Sequence, residues 1–528
     1  MRTQKVSNSL MRNGVSEALS RIHAIMEQKG SHILHTNDIE RRDRELLVRN
    51  HWLQEIIQGW YLVVRPDVLP GDSTAWYANF WDFLRIYLQH YYGQEYCLSA
   101  ECSIDLHIGS LVIPKQVIVM AKKGRGVPLE LLFGTSLLVY ATKNLPEQRE
   151  EKRGLQVMSL AYALCKVTPF YFETTPQDAE IALRSVTDFS ELFHVIERHQ
   201  FKNGAERLVG AYRFLGNDAV AEELKNGLKN IGLSITEKNP FIKDGPILPK
   251  KRYASPYAAR IFALWKQFRQ VVIDNFPAPP GLPKNIPLYL QQVAEIYVKD
   301  AYNSLSIEGY KVNKELIERV KNGIWQSEQN HGESKERNAL AALGYYRAFL
   351  TVKDSIEQIL GGSSAATVAQ RDLPKWYQNL FYPSVEAQII SPSELMGYRR
   401  HQVYIRASRH MPPAKDYLLD TMEAFFQCLQ EEDHPGVRAI LGRFLFVYIH
   451  PYMDGNGRTG RFLMNAMLAS GGYPWTIIQV VHRNHYFTAL ESASVDANIL
   501  PFTQFVASEM LNKPAENVAA FLKSHLNE

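Results

Sequence analysis

The chain has 528 residues, too long for a single hydrophobic core, and this length predicts two to four domains. Its 46% apolar and 22% charged content is that of a globular protein and excludes a disordered or fibrous chain. A formal charge of +4 says little about partners, because binding depends on where charge sits.

Cys97, Cys102, Cys165 and Cys428 are too few and too scattered for a disulfide framework or a four-cysteine zinc site, so buried, reduced thiols are expected. The opening MRTQKVSNSLMRNG lacks the apolar run of a signal peptide. The longest apolar stretch, Leu131 to Ala141, is broken by Gly134, Thr135 and Ser136 and falls short of the roughly 20 residues that span a bilayer. A soluble, cytoplasmic protein with no membrane contact is expected.

In chain order, Ser16 to Gln28 repeats Leu19, Ile22, Ile25 and Met26 at helical spacing. Thr36 and Asn37 are good N-caps for a short helix, and LQEIIQGWYLVV reads as a hairpin about Gly59. Three short helices and a hairpin are the parts of a winged helix-turn-helix, placed at 1–70. Residues 1–66 carry ten Lys/Arg against seven Asp/Glu, and Arg41, Arg42, Arg44 and Arg49 cluster on the candidate recognition helix. That pattern suits DNA, read through a basic helix in the major groove, or equally a protein contact or a solvated arginine face. Residues 71–245 are read as a small mixed α/β domain. Within it 104–142 is strand-rich, and the basic KKGRG turn (122–126) is taken as the end of a solvated hairpin. The N-terminal region resembles the AbiEi-like antitoxin and regulator proteins. The proline-bearing stretches 238–250 and 276–287 look like joints, and 246–286 is read as a linker region.

Residues 287–512 read as helix almost throughout. Val437 to Ile449 is apolar enough to be buried nearly all round, and Phe462, Leu463, Ala466 and Met467 line one face of a second helix. Between them lies HPYMDGNGR. Pro451 ends the first helix, and two glycines free the backbone before the second, so unpaired N–H groups and a positive dipole end meet in an anion site. His450 is a base near neutral pH. Asp454 is a hard oxygen ligand of the kind Mg²⁺ takes, and Asn456 is able to bond a phosphate oxygen. Arg458 and Arg461 are three apart and reach one polyphosphate with forked guanidinium groups.

The stretch HPYMDGNGRTGR resembles the Fic family signature HPFx[D/E]GN[G/K]RxxR, with Tyr452 in place of the usual Phe. The resemblance implies an α+β protein: a mainly α-helical Fic domain with a short β-hairpin flap, preceded by the winged helix and the mixed α/β domain. It implies a protein adenylyltransferase, which moves AMP from ATP to a Ser, Thr or Tyr hydroxyl of a protein target, the enzyme itself among the candidates. His450 would be the base, and Asp454 would hold Mg²⁺. Gly455, Asn456 and Gly457 would cradle the phosphates, Arg458 would contact the β/γ end and Arg461 the γ-phosphate. Residues 394–413 look like the family's flap, and Tyr486 stands where relatives carry an aromatic near the adenine. The catalytic core is placed at 392–508, and a homodimer is expected by analogy with relatives.

Upstream, 288–309 is read as one amphipathic helix with Ser304 and Glu308 on one face. SLSIEG resembles the family's inhibitory motif [S/T]xxxE[G/N], so Ser304, Glu308 and Gly309 would form a brake, with Glu308 taking Arg461 from the γ-phosphate. By the same resemblance the glutamate would instead position a water that removes AMP from a modified protein. A DNA-binding regulator whose C-terminal half senses nucleotide is the alternative from another class.

Overall fold

A computed structural model describes residues 2–67, 71–242, 245–324 and 333–512. The protein is α+β. Its chain divides into two compact units, residues 1–246 with 404–411, and residues 247–403 with 412–528.

The N-terminal unit starts with a long helix α1 (Arg2–Lys29), strand β1 (Ile33–His35), a single 3-10 turn (Thr36–Asp38) and helix α2 (Arg41–Arg49). Strands β2 (Leu53–Ile57) and β3 (Trp60–Val63) then form the expected hairpin, with Gly59 at φ 84 in the turn. The sheet order is β1-β3-β2. Where three short helices were expected there are two helices and a 3-10 turn, because the His35 ring and Asp38 carboxylate close a capping box that tightens this segment. Ala18, Ile22, Leu34, Leu47 and Leu53 form the core of this part. Asp43 is buried on α2 and takes a two-pronged pair from Arg21, at 2.6 and 2.9 Å.

Helix α3 (Thr74–Tyr92), β4 (Tyr96–Leu98), α4 (Ala100–His107), β5 (Gln116–Ala121), β6 (Pro128–Glu130) and β7 (Ser136–Ala141) follow. The four strands are ordered β4-β5-β7-β6, and β5 and β7 run parallel. The basic turn after β5 therefore does not close a hairpin: β7 lies between β5 and β6. A two-stranded β8–β9 ribbon (Glu150–Lys152, Leu155–Val157) and six short helices, α5 (Leu160–Lys166) through α10 (Asp218–Asn230), complete this unit. Trp60, Trp76, Phe80 and Phe83 centre its larger core, to which Met411 also belongs.

In the C-terminal unit the supposed linker holds a 20-residue helix, α11 (Pro256–Asn275), capped by the Ser255 hydroxyl on the Ala258 N–H. Eleven of its residues are buried, and it packs on α17 (Leu418–Glu431) and α18 (Pro435–Ile449). The prolines mark its ends and not a flexible joint. The single helix expected at 288–309 is two, α12 (Ile286–Glu295) and α13 (Tyr297–Ile307), parted at Ile296. Helices α14 (Lys314–Lys321), α15 (Glu333–Leu360) and α16 (Ala365–Glu386) precede α17. α19 (Asn456–Ala469), α20 (Arg483–Val495) and α21 (Leu500–Leu511) close the described chain. Among the described residues no helix is long and apolar enough to cross a membrane.

Helices α15 and α16 pack so closely that a methyl group on Gly344 would overlap the Leu380 carbonyl oxygen, and backbone cannot yield cheaply. Gly344→Ala is expected to lower stability by about 1–3 kcal/mol, seen as a lower urea midpoint with an unchanged slope. All four cysteines are buried. Burial raises every thiol pKa, to about 12 for Cys97 and about 11 for Cys102.

Candidate active site

Helix α18 is buried along nearly its whole surface and ends at His450, whose backbone is left-handed at φ 53. This C-cap turns the chain sharply, so the imidazole stands at the mouth of the loop instead of continuing the helix. Its Nδ1 donates to the Val447 carbonyl oxygen at 3.1 Å, which leaves Nε2 with a free lone pair. Burial pushes the imidazole pKa down to about 4, with Arg399 and Arg443 adding to the effect, while Val447 and Glu308 oppose it. His450 is thus neutral at physiological pH and competent to take a proton.

The loop closes on itself through Asn456. Its Oδ1 accepts from the Tyr452 N–H at 3.0 Å, and its Nδ2 donates to the Tyr452 carbonyl at 2.8 Å. This buried amide braces the loop. Tyr452 stacks on Tyr377, ring centroids 3.7 Å apart, so the aromatic anchor survives the change from Phe. Gly455 caps α19 at φ 78, with Phe381 so near that a Cβ would stand 2.7 Å from the ring.

Both arginines are buried. Arg458 lies between the rings of Phe381 and Tyr310, 4.9 and 5.1 Å from their centroids. Its Nη2 stands 3.4 Å from Asp454, whose carboxylate is otherwise 65% exposed. Arg461 donates from Nε to the Ser304 hydroxyl and from Nη2 to the Ser304 carbonyl, both at 2.9 Å, and from Nη2 to Glu308 Oε1 at 2.7 Å. Burial opposes charge on both partners, yet the Arg461 pKa stays raised and the Glu308 pKa lowered, because each faces the other's charge. Glu308 also lies over the first turn of α19: a methyl on Gly457 would overlap its carboxylate. The anion cradle thus faces a carboxylate from its own chain. Gly309, at φ 87, ends α13 just beyond it.

The structure thus brings together His450, Asp454, Gly455, Asn456, Gly457, Arg458, Arg461, Ser304, Glu308 and Gly309, within one unit. It does not bring Tyr486 to the site. That residue is 1% exposed, packs against Phe502 and Phe505, and its hydroxyl accepts from Arg443. Its place near an adenine is corrected to one in the core. The flap hairpin expected near 395–410 also does not form: apart from a 3-10 turn at Pro392–Leu395 the segment is irregular, and its only bridge pairs His410 with Val112.

Residues 370–468 match the model of the Fic/DOC family. The chain carries a Fic domain. Over 221 residues it is 31% identical to the protein adenylyltransferase Fic of Culex quinquefasciatus, a match that covers 40% of each chain. It is 43% identical over 120 residues to the protein of that name from Nematostella vectensis, covering 22% of this chain and 27% of that one. The chain thus spans less than half the length of these curated relatives. Among solved structures, Fic-1 from C. elegans aligns with a TM-score of 0.36 and 17% identity, over 66% of this chain and 88% of that one.

Two residues of the Fic domain site carry no sequence signal. Arg399, 5% exposed, donates from Nε to the His450 carbonyl at 2.9 Å and from Nη1 to the His401 carbonyl at 3.0 Å. Its Nη2 donates to the Pro413 carbonyl, and its backbone N–H to the Pro451 carbonyl at 2.8 Å. Burial lowers its pKa to about 10. Arg443, 1% exposed, sits beneath Gly460, where a Cβ would meet its Nη1 at 2.5 Å.

Proposed function

We propose that the Fic domain transfers AMP from ATP to a protein hydroxyl and that Glu308 restrains it. The observation that carries this reading is the neutral His450, with Nε2 free, beside a helix N-terminus and two buried arginines. The hydroxyl gives its proton to Nε2 while its oxygen bonds to the α-phosphorus. The bond from that phosphorus to the bridging oxygen breaks, and pyrophosphate leaves. Arg458 and Arg461 bind the β/γ end, and the N–H groups at the start of α19 hold phosphate oxygens. Positioning and charge stabilisation supply most of the rate, and the base about 10²–10⁴-fold.

Asp454 fits a Mg²⁺ ion, which is bound by one or two carboxylates together with phosphates and keeps its waters. Its exposed carboxylate accepts from the Gly455 N–H at 2.6 Å and stands 3.4 Å from Arg458, and among the described residues no group of three or more metal-type side chains gathers there. Such an ion would neutralise charge on the phosphates. The test is incubation of wild type, Glu308→Gly and Glu308→Gly/His450→Ala with α-labelled ATP and Mg²⁺. Strong protein labelling by Glu308→Gly, faint by wild type and none by the double variant supports the reading. An unlabelled Glu308→Gly overturns it.

We further read residues 1–63 as a winged helix that meets DNA. Arg42 and Arg49 are exposed and seven apart on α2, so they share one face, and Arg41 is exposed beside Glu45. Arg44 is withdrawn from that face: it donates to the Thr36 hydroxyl and lies 6.0 Å from the Tyr61 ring. Wild type is expected to bind duplex DNA with a steep salt dependence, and Arg42→Ala/Arg49→Ala to lower the slope of log K against log salt by about two. Equal slopes would remove α2 from the contact.

A further inference from the structure

Arg461 has two supports, both on α13. Glu308 meets its Nη2, while Ser304 takes Nε on its hydroxyl and Nη2 on its carbonyl. Nη1 is buried and has no hydrogen-bond partner among the described residues. The Glu308 side chain reaches solvent, whereas Ser304 is buried. Three contacts that do not involve Glu308 pin the helix that carries Ser304. The Asn303 amide oxygen accepts from the Val480 N–H at 2.9 Å, and the Ile307 carbonyl accepts from Arg483 Nε at 2.8 Å. The third is between Asp300 and α15: the carboxylate accepts from the Tyr345 hydroxyl at 2.6 Å.

This third contact leads back to Arg461. Asp300 and Ser304 are four apart and share one face of α13. The Tyr345 hydroxyl also has the Ser304 hydroxyl as a hydrogen-bond partner. Tyr345 has one proton to give and spends it on Asp300, so the proton between the two hydroxyls belongs to Ser304. The Ser304 oxygen in turn accepts from Arg461. Bonds therefore run one way, from guanidinium to Ser304, to Tyr345, to carboxylate, and all four side chains are buried. Burial raises the Asp300 pKa to about 6, against the Tyr345 bond and the Arg461 charge, so the carboxylate is ionised at neutral pH. The Tyr345 ring is held 4.8 Å from that of Phe462, the neighbour of Arg461 in the chain.

Displacing Glu308 leaves this chain of bonds intact. Arg461 then keeps a buried counter-charge, and its free donors are Nη1 and the Nη2 hydrogen that Glu308 had held. We propose that Asp300 and Tyr345 are positioning residues: through Ser304 they hold the Arg461 guanidinium ready for a terminal phosphate once Glu308 has moved aside, and so set the preference for a triphosphate over a diphosphate. This inference rests on the reading above in which Arg461 binds the β/γ end of ATP.

The experiment measures affinity for ATP and for ADP by titration calorimetry at fixed Mg²⁺. The starting chain is full-length Glu308→Gly/His450→Ala, in which the base is absent and ATP is not consumed. Tyr345→Phe, Asp300→Asn and Arg461→Ala are added to it one at a time. Tyr345→Phe keeps the ring on Phe462 and removes the hydroxyl, and Asp300→Asn keeps the shape and removes the charge. Each of these two is expected to weaken ATP by about three- to tenfold and to leave ADP unchanged, while Arg461→Ala weakens ATP further. An equal loss of ATP and ADP affinity would make the chain of bonds structural only and overturn the proposal. So would an intact ATP preference in both variants alongside its loss in Arg461→Ala, an outcome that leaves the reading of Arg461 standing. An ATP preference that is absent from the starting chain, or that survives Arg461→Ala, overturns that reading and the proposal with it.

Discussion

Glu308→Gly is expected to raise the initial rate of AMP incorporation by ten- to a hundredfold over wild type. The substitution removes the 2.7 Å charged hydrogen bond to Arg461 and clears the carboxylate from above Gly457. A hydrogen bond between charged groups is worth about 1.5–3 kcal/mol, and each 1.36 kcal/mol is a factor of about ten in rate. Glu308 is 30% exposed, so solvent screening holds the effect to this range and no higher. Glu308→Gln, which keeps the shape and loses the charge, should fall between the two. Rates for wild type and Glu308→Gly within twofold of each other would show that the contact is structural and not a brake.

The second large effect is at His450. In a Glu308→Gly background, His450→Ala should lower the rate by about 10²–10⁴-fold, the contribution of a positioned base. The pH profile separates this role from a structural one. A base works only when neutral, so the rate falls as pH drops through its pKa. With that pKa at about 4, the rate should be level from pH 5 to pH 8. The Glu308 charge raises the His450 pKa, so its removal does not bring the titration into that window. A break near pH 6.5, the value of a solvated imidazole, would show that the ring is not held in its buried setting.

The parts of this site that were legible in the sequence are those joined by short chain segments. His450, Asp454, the glycines and both arginines lie within twelve residues, where helix geometry and glycine freedom fix what faces what. Ser304 and Glu308 were legible for the same reason, as a pair one helical turn apart, although their partner Arg461 is 157 residues from Ser304. Arg399 was not, because its role comes from carbonyl groups up to 51 residues away, and any exposed arginine has the same spelling. Tyr486 misled: an aromatic on an amphipathic helix reads the same whether it faces a ligand or the core, and here the buried Arg443 claims its hydroxyl. The bracing of the loop by Asn456 was not legible, since an amide suits a phosphate oxygen and a backbone carbonyl equally.

In the fold, the β2–β3 hairpin was legible because Gly59 sits between two β-rich runs. Helix α11 was hidden by the prolines at its borders, which mark a boundary without saying what lies inside it. The flap hairpin depended on which strand edge its backbone would choose, a choice made by Leu111–Ile113, nearly 300 residues upstream.

The burial of every cysteine has a practical side. Thiolate is the form that alkylating agents attack, and Cys97 and Cys102, with pKa values of about 12 and 11, hold almost none of it at neutral pH. Cys165 and Cys428 are shifted in the same direction by the same burial. The natural chain therefore offers maleimide chemistry a quiet background. A single cysteine placed on the exposed face of α2 would take a fluorophore selectively, with no need to rebuild the core around missing thiols.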